Sequence, residues 1–185
     1  MNLPNHISLL RIILVPIFIA CLVYYREGHE SLRVVGAVIF TLACVTDAVD
    51  GFVAQRFNLK TKLGSYIDPL ADKILLVSAF LTMSFLGRIP HQMQIPAWLT
   101  IAVISRDVII LFGVAIIFMS TGNLTPKPLI VGKMTTGFQM FSILVALFEA
   151  PAFLQMWVYG IAFALTVISG IGYLRFGTRL LQGQA

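Results

Sequence analysis

Charge is what this chain has least of. Only 11% of its 185 residues are Asp, Glu, Lys or Arg, against 58% hydrophobic, and the mean hydropathy is +0.92. So few charges cannot cover the surface of a soluble domain of this length, which excludes the water-soluble classes and implies a polytopic membrane protein. Cysteine is nearly absent, and Cys21 and Cys44 both fall inside apolar runs. That excludes a disulfide framework and leaves two small buried hydrophobes. His6, His29 and His91 stand apart near expected loops or interfaces, so no histidine metal cluster is available. Acids are fewer than bases, 8 against 13. The surplus reads as positive loops attracted to anionic lipid, with no nucleic-acid partner. There is no internal repeat or low-complexity segment, and residues 1-185 read as a single domain. The first apolar run contains Arg11 and no small-residue cleavage site follows, so it is expected to be retained as a helix.

Long apolar stretches are what the chain has in place of charge. Six of them approach the roughly 20 residues needed to span hydrocarbon. They lie near Ile7–Tyr25, Leu32–Ala54, Asp68–Leu86, Pro96–Met119, Leu129–Phe148 and Phe153–Leu174. The pattern predicts an all-α bundle of six transmembrane helices. Pro96 opens its span without loss of an intrahelical hydrogen bond, Pro16 is expected to kink the first, and residues 2–6 read as an interfacial lead-in. Trp98 and Trp157 fall near span ends, as aromatic belts do. Arg56, Lys60, Lys62, Lys127, Lys133, Arg175 and Arg179 group on one side, and Arg26, Arg33 and Arg88 on the other. The excess predicts that the first group and both termini face the cytoplasm.

The acids divide by type. Glu27, Glu30 and Glu149 fall in or beside outer loops and read as solvated, whereas every aspartate lies in or at the end of a span. Asp47, Asp50, Gly51 and Ala54 recur at i, i+3, i+4 and i+7, one stripe of a helix. Gly64, Asp68 and Asp72 recur every fourth residue and form a second stripe. An aspartate in mid-membrane costs about 2.5–3.5 kcal/mol, so four gathered together cost on the order of 10 kcal/mol before repulsion. Interhelical polar contacts return only about 0.6–2 kcal/mol each. Bound divalent cations are the natural compensation, and oxygen-only ligands favour Mg²⁺, Mn²⁺ or Ca²⁺ over zinc. Gly51, Ala54 and Gly64 leave room beside the carboxylates for a bulky ligand.

Asp47-x-x-Asp50-Gly51-x-x-Ala54 followed by Gly64-x-x-x-Asp68-x-x-x-Asp72 resembles the signature of the CDP-alcohol phosphatidyltransferases. It departs from it at Gln55, where that family carries arginine, with Arg56 following. The run Asn2-Leu-Pro-Asn5, Arg11, Pro16 and Asp68-Pro-Leu-Ala-Asp72-Lys73 extends the likeness to bacterial-type members. The resemblance implies a bacterial-type inner-membrane homodimer of six spans with a cleft open to the cytoplasm and the inner leaflet. It implies transfer of the phosphatidyl group of CDP-diacylglycerol to a glycerol-type acceptor, with release of CMP. A two-metal Mg²⁺ or Mn²⁺ site would be held by Asp47, Asp50, Asp68 and Asp72, with Asp72 also the general base. Gly51, Ala54 and Gly64 would line the CDP-diacylglycerol pocket, joined by Arg56, Thr61 and Lys62.

The acceptor turns on other residues. Arg106, in Ser105-Arg106-Asp107 of the fourth span, reads either as a structural pair with Asp107 or as the contact for an anionic acceptor; Lys133 reads as a second phosphate contact or an interfacial anchor. Glycerol 3-phosphate enzymes are expected to carry a further arginine two turns on, where this chain has Val114. Ile104-Ser105-Arg106-Asp107-Val108 resembles instead the eukaryotic-type cardiolipin synthases. The sequence therefore leans slightly to phosphatidylglycerol as acceptor, with glycerol 3-phosphate as the alternative. The rival classes are a transporter with a carboxylate ion site, against which no second acidic half is present, and a scaffold with a structural cation.

Overall fold

A computed structural model describes residues 3–26, 30–57, 64–121 and 130–181, with side chains described for 10–26, 30–46, 72–116, 119 and 130–178. Helices run over Leu3–Val23 (α1), Glu30–Phe57 (α2), Gly64–Phe85 (α3), Ala97–Thr121 (α4), Ile130–Leu147 (α5) and Ala152–Leu181 (α6), with a 3-10 turn at His91–Met93. No strand occurs among the described residues, and each expected span falls on one helix. Helix α1 begins at Leu3, so residues 3–6 belong to it rather than to a lead-in, and it continues through Pro16. Helix α3 starts at Gly64, a full turn before the expected Asp68, with the weak helix former glycine only at its first position, where it costs least. By length and composition, three stretches among the described residues are long and apolar enough to cross a membrane: His91–Ile116, Ile130–Leu147 and Ala152–Thr178. Leu10–Val23 is a shorter apolar stretch. Large apolar side chains point outward, among them Leu111 at 70%, Met119 at 85% and Met156 at 78% exposure. Water penalises such a surface and lipid accepts it.

The chain forms two compact units: residues 1–95 with 143–150, and residues 96–142 with 151–185. In the first, α1 packs against both α2 and α3. Its core takes Phe18 and Leu22 from α1, Ala37, Phe40 and Ala43 from α2, and Leu76, Phe80 and Met83 from α3, all fully buried or nearly so. The spacing of three and four residues puts each set on one helix face. Small residues on α2 let the helices close up, as membrane interfaces require. A Cβ on Gly36 would lie 3.6 Å from Cys21 Cβ, and the Phe18 and Phe40 rings meet at 5.5 Å. Cys21 and Cys44 are free thiols.

The end of α5 belongs to this unit. Ala150 N–H donates to Val145 O at 2.9 Å and Glu149 N–H to Ala146 O at 3.0 Å, the paired bonds of a Schellman cap. Glu149 holds the left-handed position at φ 49°, where glycine is usual. Its Oε2 lies 2.6 Å from Arg33 Nη1, and Arg33 Nε lies 2.7 Å from Glu30 Oε2 without hydrogen-bond alignment. Tyr25 Oη donates to Glu30 Oε1 at 3.3 Å. Glu30 and Glu149 are therefore ion-pair partners, not free loop glutamates as expected. The reason is that Arg33, one turn into α2, needs anions to stay at the edge of the apolar core.

In the second unit α4 packs against α6. Its interior is unusually polar. Thr135, Gln139 and Ser142 on α5, and Gln155, Thr166 and Ser169 on α6, are all buried. Gln139 Nε2 donates to Thr166 Oγ1 at 3.1 Å, and Thr135 Oγ1 donates to Leu165 O at 3.1 Å. These hydrogen bonds join α5 to α6 where the hydrophobic effect between helices is weak.

Candidate active site

Helix α2 is unbroken through Phe57, so Asp47, Asp50, Gly51 and Ala54 keep the register of one face. The early start of α3 places Gly64, Asp68 and Asp72 on one helix, four residues apart. At 28 residues α2 is about 42 Å long, beyond the roughly 30 Å of hydrocarbon, so a helix end can carry acids at or outside the boundary. The side chains of Asp47, Asp50, Gly51, Ala54, Arg56, Gly64 and Asp68 lie outside the described residues, as do Thr61 and Lys62 entirely. Among the described residues no three acid, histidine or cysteine side chains gather.

Asp72 is described, and it has a partner that periodicity did not reveal. Arg11 Nη1, from α1, donates to Asp72 Oδ1 in an ion pair between side chains 2% and 21% exposed. A buried guanidinium inside an apolar helix must meet an anion, and that cost was the available signal for pairing Arg11. The pair fixes one oxygen of the α3 stripe and brings positive charge to it. The all-oxygen donor set of the stripes fits a hard divalent cation, with Asp72 the member whose surroundings are visible.

Arg106 lies on α4 at 6% exposure. Its Nη1 donates to Asp107 Oδ1 at 2.8 Å, and its Nη2 donates to Ser169 Oγ of α6 at 2.8 Å. The guanidinium carbon sits 5.5 Å from the centre of the Tyr173 ring. Helix α5 closes in through Gly132, where a Cβ would lie 3.1 Å from Tyr173 Oη and 3.3 Å from Arg106 Nη2. Lys133, the next residue, is exposed. Arg106 and the start of α5 are thus adjacent, while Val114, two turns further along α4, offers no second charge. Ser169 and Tyr173 escaped the sequence reading because nothing local in α6 marks them.

A family model of the CDP-alcohol phosphatidyltransferases matches residues 1–168, covering both acidic stripes, Arg106 and Lys133. The chain belongs to the CDP-alcohol phosphatidyltransferase family. It is therefore an enzyme, which sets aside the transporter and scaffold readings. It is similar to the probable phosphatidylglycerophosphate synthase of Mycobacterium tuberculosis, 32% identical over 98% of this chain and 84% of the relative. A CDP-diacylglycerol–glycerol-3-phosphate 3-phosphatidyltransferase of Bacillus subtilis is 35% identical over 93% of each chain. The protein of the same description from Pseudomonas fluorescens is 32% identical over 95% of this chain and 89% of its own length.

Proposed function

We propose that this membrane enzyme transfers the phosphatidyl group of CDP-diacylglycerol to glycerol 3-phosphate, forming phosphatidylglycerophosphate and releasing CMP. The observation that carries the acceptor is near full-length similarity to relatives described as glycerol-3-phosphate 3-phosphatidyltransferases and to one described as a probable phosphatidylglycerophosphate synthase. It outweighs the lean to phosphatidylglycerol taken from Ile104-Ser105-Arg106-Asp107-Val108 and Val114. The geometry agrees in kind: Arg106 abuts Gly132, so Lys133 is the nearest basic residue in sequence to complete an anion contact.

Asp47, Asp50, Asp68 and Asp72 would hold Mg²⁺ or Mn²⁺, which when bound would neutralise the pyrophosphate and the departing CMP. In the reaction, the acceptor hydroxyl oxygen bonds to the phosphorus carrying diacylglycerol. The bond from that phosphorus to the CMP oxygen breaks, and Asp72 takes the hydroxyl proton. Arg11 cannot accept a proton at working pH, so its part is to orient Asp72. Gly51, Ala54 and Gly64 leave space for the nucleotide, with Arg56, Thr61 and Lys62 as its neighbours in sequence. The excess of basic residues in the loops beside the stripes supports a cytoplasmic face for this chemistry.

The test is incorporation of radiolabelled glycerol 3-phosphate and, separately, phosphatidylglycerol, each with CDP-diacylglycerol and Mg²⁺. Labelled phosphatidylglycerophosphate with stoichiometric CMP is expected. Lipid product from phosphatidylglycerol alone would restore the cardiolipin synthase reading.

A further inference from the structure

Arg106 is restrained from three helices at once. Asp107, its neighbour on α4, takes Nη1, although consecutive helical residues do not ordinarily face each other. The guanidinium is therefore turned along its own helix, and α6 sets its plane. Ser169 takes Nη2 at 2.8 Å from within the buried interior, and one turn on the Tyr173 ring supports the cation at 5.5 Å. Gly170, between them, faces the arginine's stem: a Cβ there would lie 3.7 Å from Arg106 Cγ, an ordinary van der Waals contact. Helix α5 meets the far side at Gly132, against both Nη2 and Tyr173 Oη. Burial alone would require only that the charge be neutralised, and Asp107 does that. The hydroxyl and the ring add direction, and Nε makes no hydrogen bond among the described residues.

We infer that Ser169 and Tyr173 are positioning residues that hold the Arg106 guanidinium in the orientation it presents to the acceptor's phosphate. This rests on the acceptor reading above. Both residues lie beyond residue 168, where the family match ends, so the match assigns them nothing. Tyr173 acts through its ring: its hydroxyl makes no hydrogen bond among the described residues and borders α5 at Gly132. A hydrogen bond to a charged group and a desolvated cation–ring contact are each large enough to move a binding constant about tenfold.

Steady-state kinetics on the full chain in detergent, with thermal melting alongside, separates the possibilities. Ser169→Ala and Tyr173→Leu should each raise KM for glycerol 3-phosphate about tenfold. KM for CDP-diacylglycerol should stay within about twofold, since both residues are argued to act on the acceptor through Arg106. Ser169→Thr keeps the hydroxyl and should restore the acceptor KM, and Tyr173→Phe keeps the ring and should behave as the parent. Arg106→Ala is the control for the acceptor reading itself. If it leaves the acceptor KM unchanged, that reading fails and the inference falls with it. If it raises the acceptor KM while Ser169→Ala and Tyr173→Leu do not, the reading stands and the positioning role is wrong. A Tyr173→Phe loss equal to that of Tyr173→Leu would also overturn it, because the hydroxyl would then contact substrate directly. Should Tyr173→Leu fail to fold, the Ser169→Ala and Ser169→Thr pair decides alone.

Discussion

Arg11 and Asp72, sixty-one residues apart, form an ion pair that joins α1 to the acidic stripe of α3. Removing one partner of a fully buried pair costs about 3–5 kcal/mol. Asp72 keeps 21% of its side chain exposed, so Arg11→Met should cost less, about 2 kcal/mol. The double change Arg11→Met with Asp72→Asn should recover part of that stability, because neither charge of this pair is then left without the other. Activity should not recover, since the double variant lacks the proton acceptor. Melting in detergent reads the first outcome and CMP release the second. Equal stability of Arg11→Met and the parent would show the pair to be energetically idle.

The cap at Glu149 gives an ordering of three variants. A non-glycine residue at φ 49° carries about 1–2 kcal/mol of steric cost, while a partly exposed ion pair with Arg33 returns about 1 kcal/mol or less. Glu149→Gly removes both and should be neutral or slightly stabilising. Glu149→Gln keeps the strain and loses the charge, so it should melt lowest of the three. A Gly variant melting below the Gln variant would show that the carboxylate, rather than the backbone, governs this turn.

Gln139 and Thr166 test the polar interior of the second unit. Each of Gln139→Leu and Thr166→Val removes one side of a buried 3.1 Å hydrogen bond between α5 and α6. The double-mutant cycle should give a coupling near 0.6 kcal/mol and no more than about 1.7, the range for interhelical bonds in membranes. Gln139 Oε1 has no hydrogen-bond partner among the described residues, which holds the single Gln139→Leu loss down as well. A coupling of zero would mean that the contact does not join the helices energetically.

Helix number and placement were legible in the sequence because apolar runs of near-membrane length are a local signal. The two acidic stripes were legible as well, since a periodicity of three and four needs only the helix to be continuous, and α2 and α3 are. What escaped was everything that depends on one helix meeting another. Arg11 carried the mark of an unexplained buried charge, yet nothing in its own span named Asp72. Ser169 and Tyr173 are ordinary residues until Arg106 is seen beside them. Glu149 looked like a loop acid because its position as a left-handed cap follows from where α5 stops. The lean to phosphatidylglycerol had a different weakness: a five-residue likeness around Arg106 weighs little against relatives alike over nearly the whole chain.

Metal dependence is the last prediction, and it rests on the proposed donor set. Asp47, Asp50, Asp68 and Asp72 lie at helical spacing on two unbroken helices, and Asp72 has a cationic partner in Arg11 of α1. Cations bound by the folded protein alone stabilise it by RT ln(1 + [L]/Kd), about 2.7 kcal/mol at a hundredfold excess over Kd. Mg²⁺ or Mn²⁺ should therefore raise the melting temperature of the parent, with zinc the poorer ligand for an all-oxygen site. Chelation with EDTA should abolish CMP release, and restoring Mg²⁺ should return it. Asp68→Asn should lose both the activity and the Mg²⁺-dependent rise in melting temperature while remaining folded. Asp72→Asn should keep part of that rise yet lower turnover by at least about 100-fold, the scale of a lost general base. Full activity in EDTA, or an Asp68→Asn protein stabilised by Mg²⁺ as strongly as the parent, would leave the carboxylates without a cation to hold.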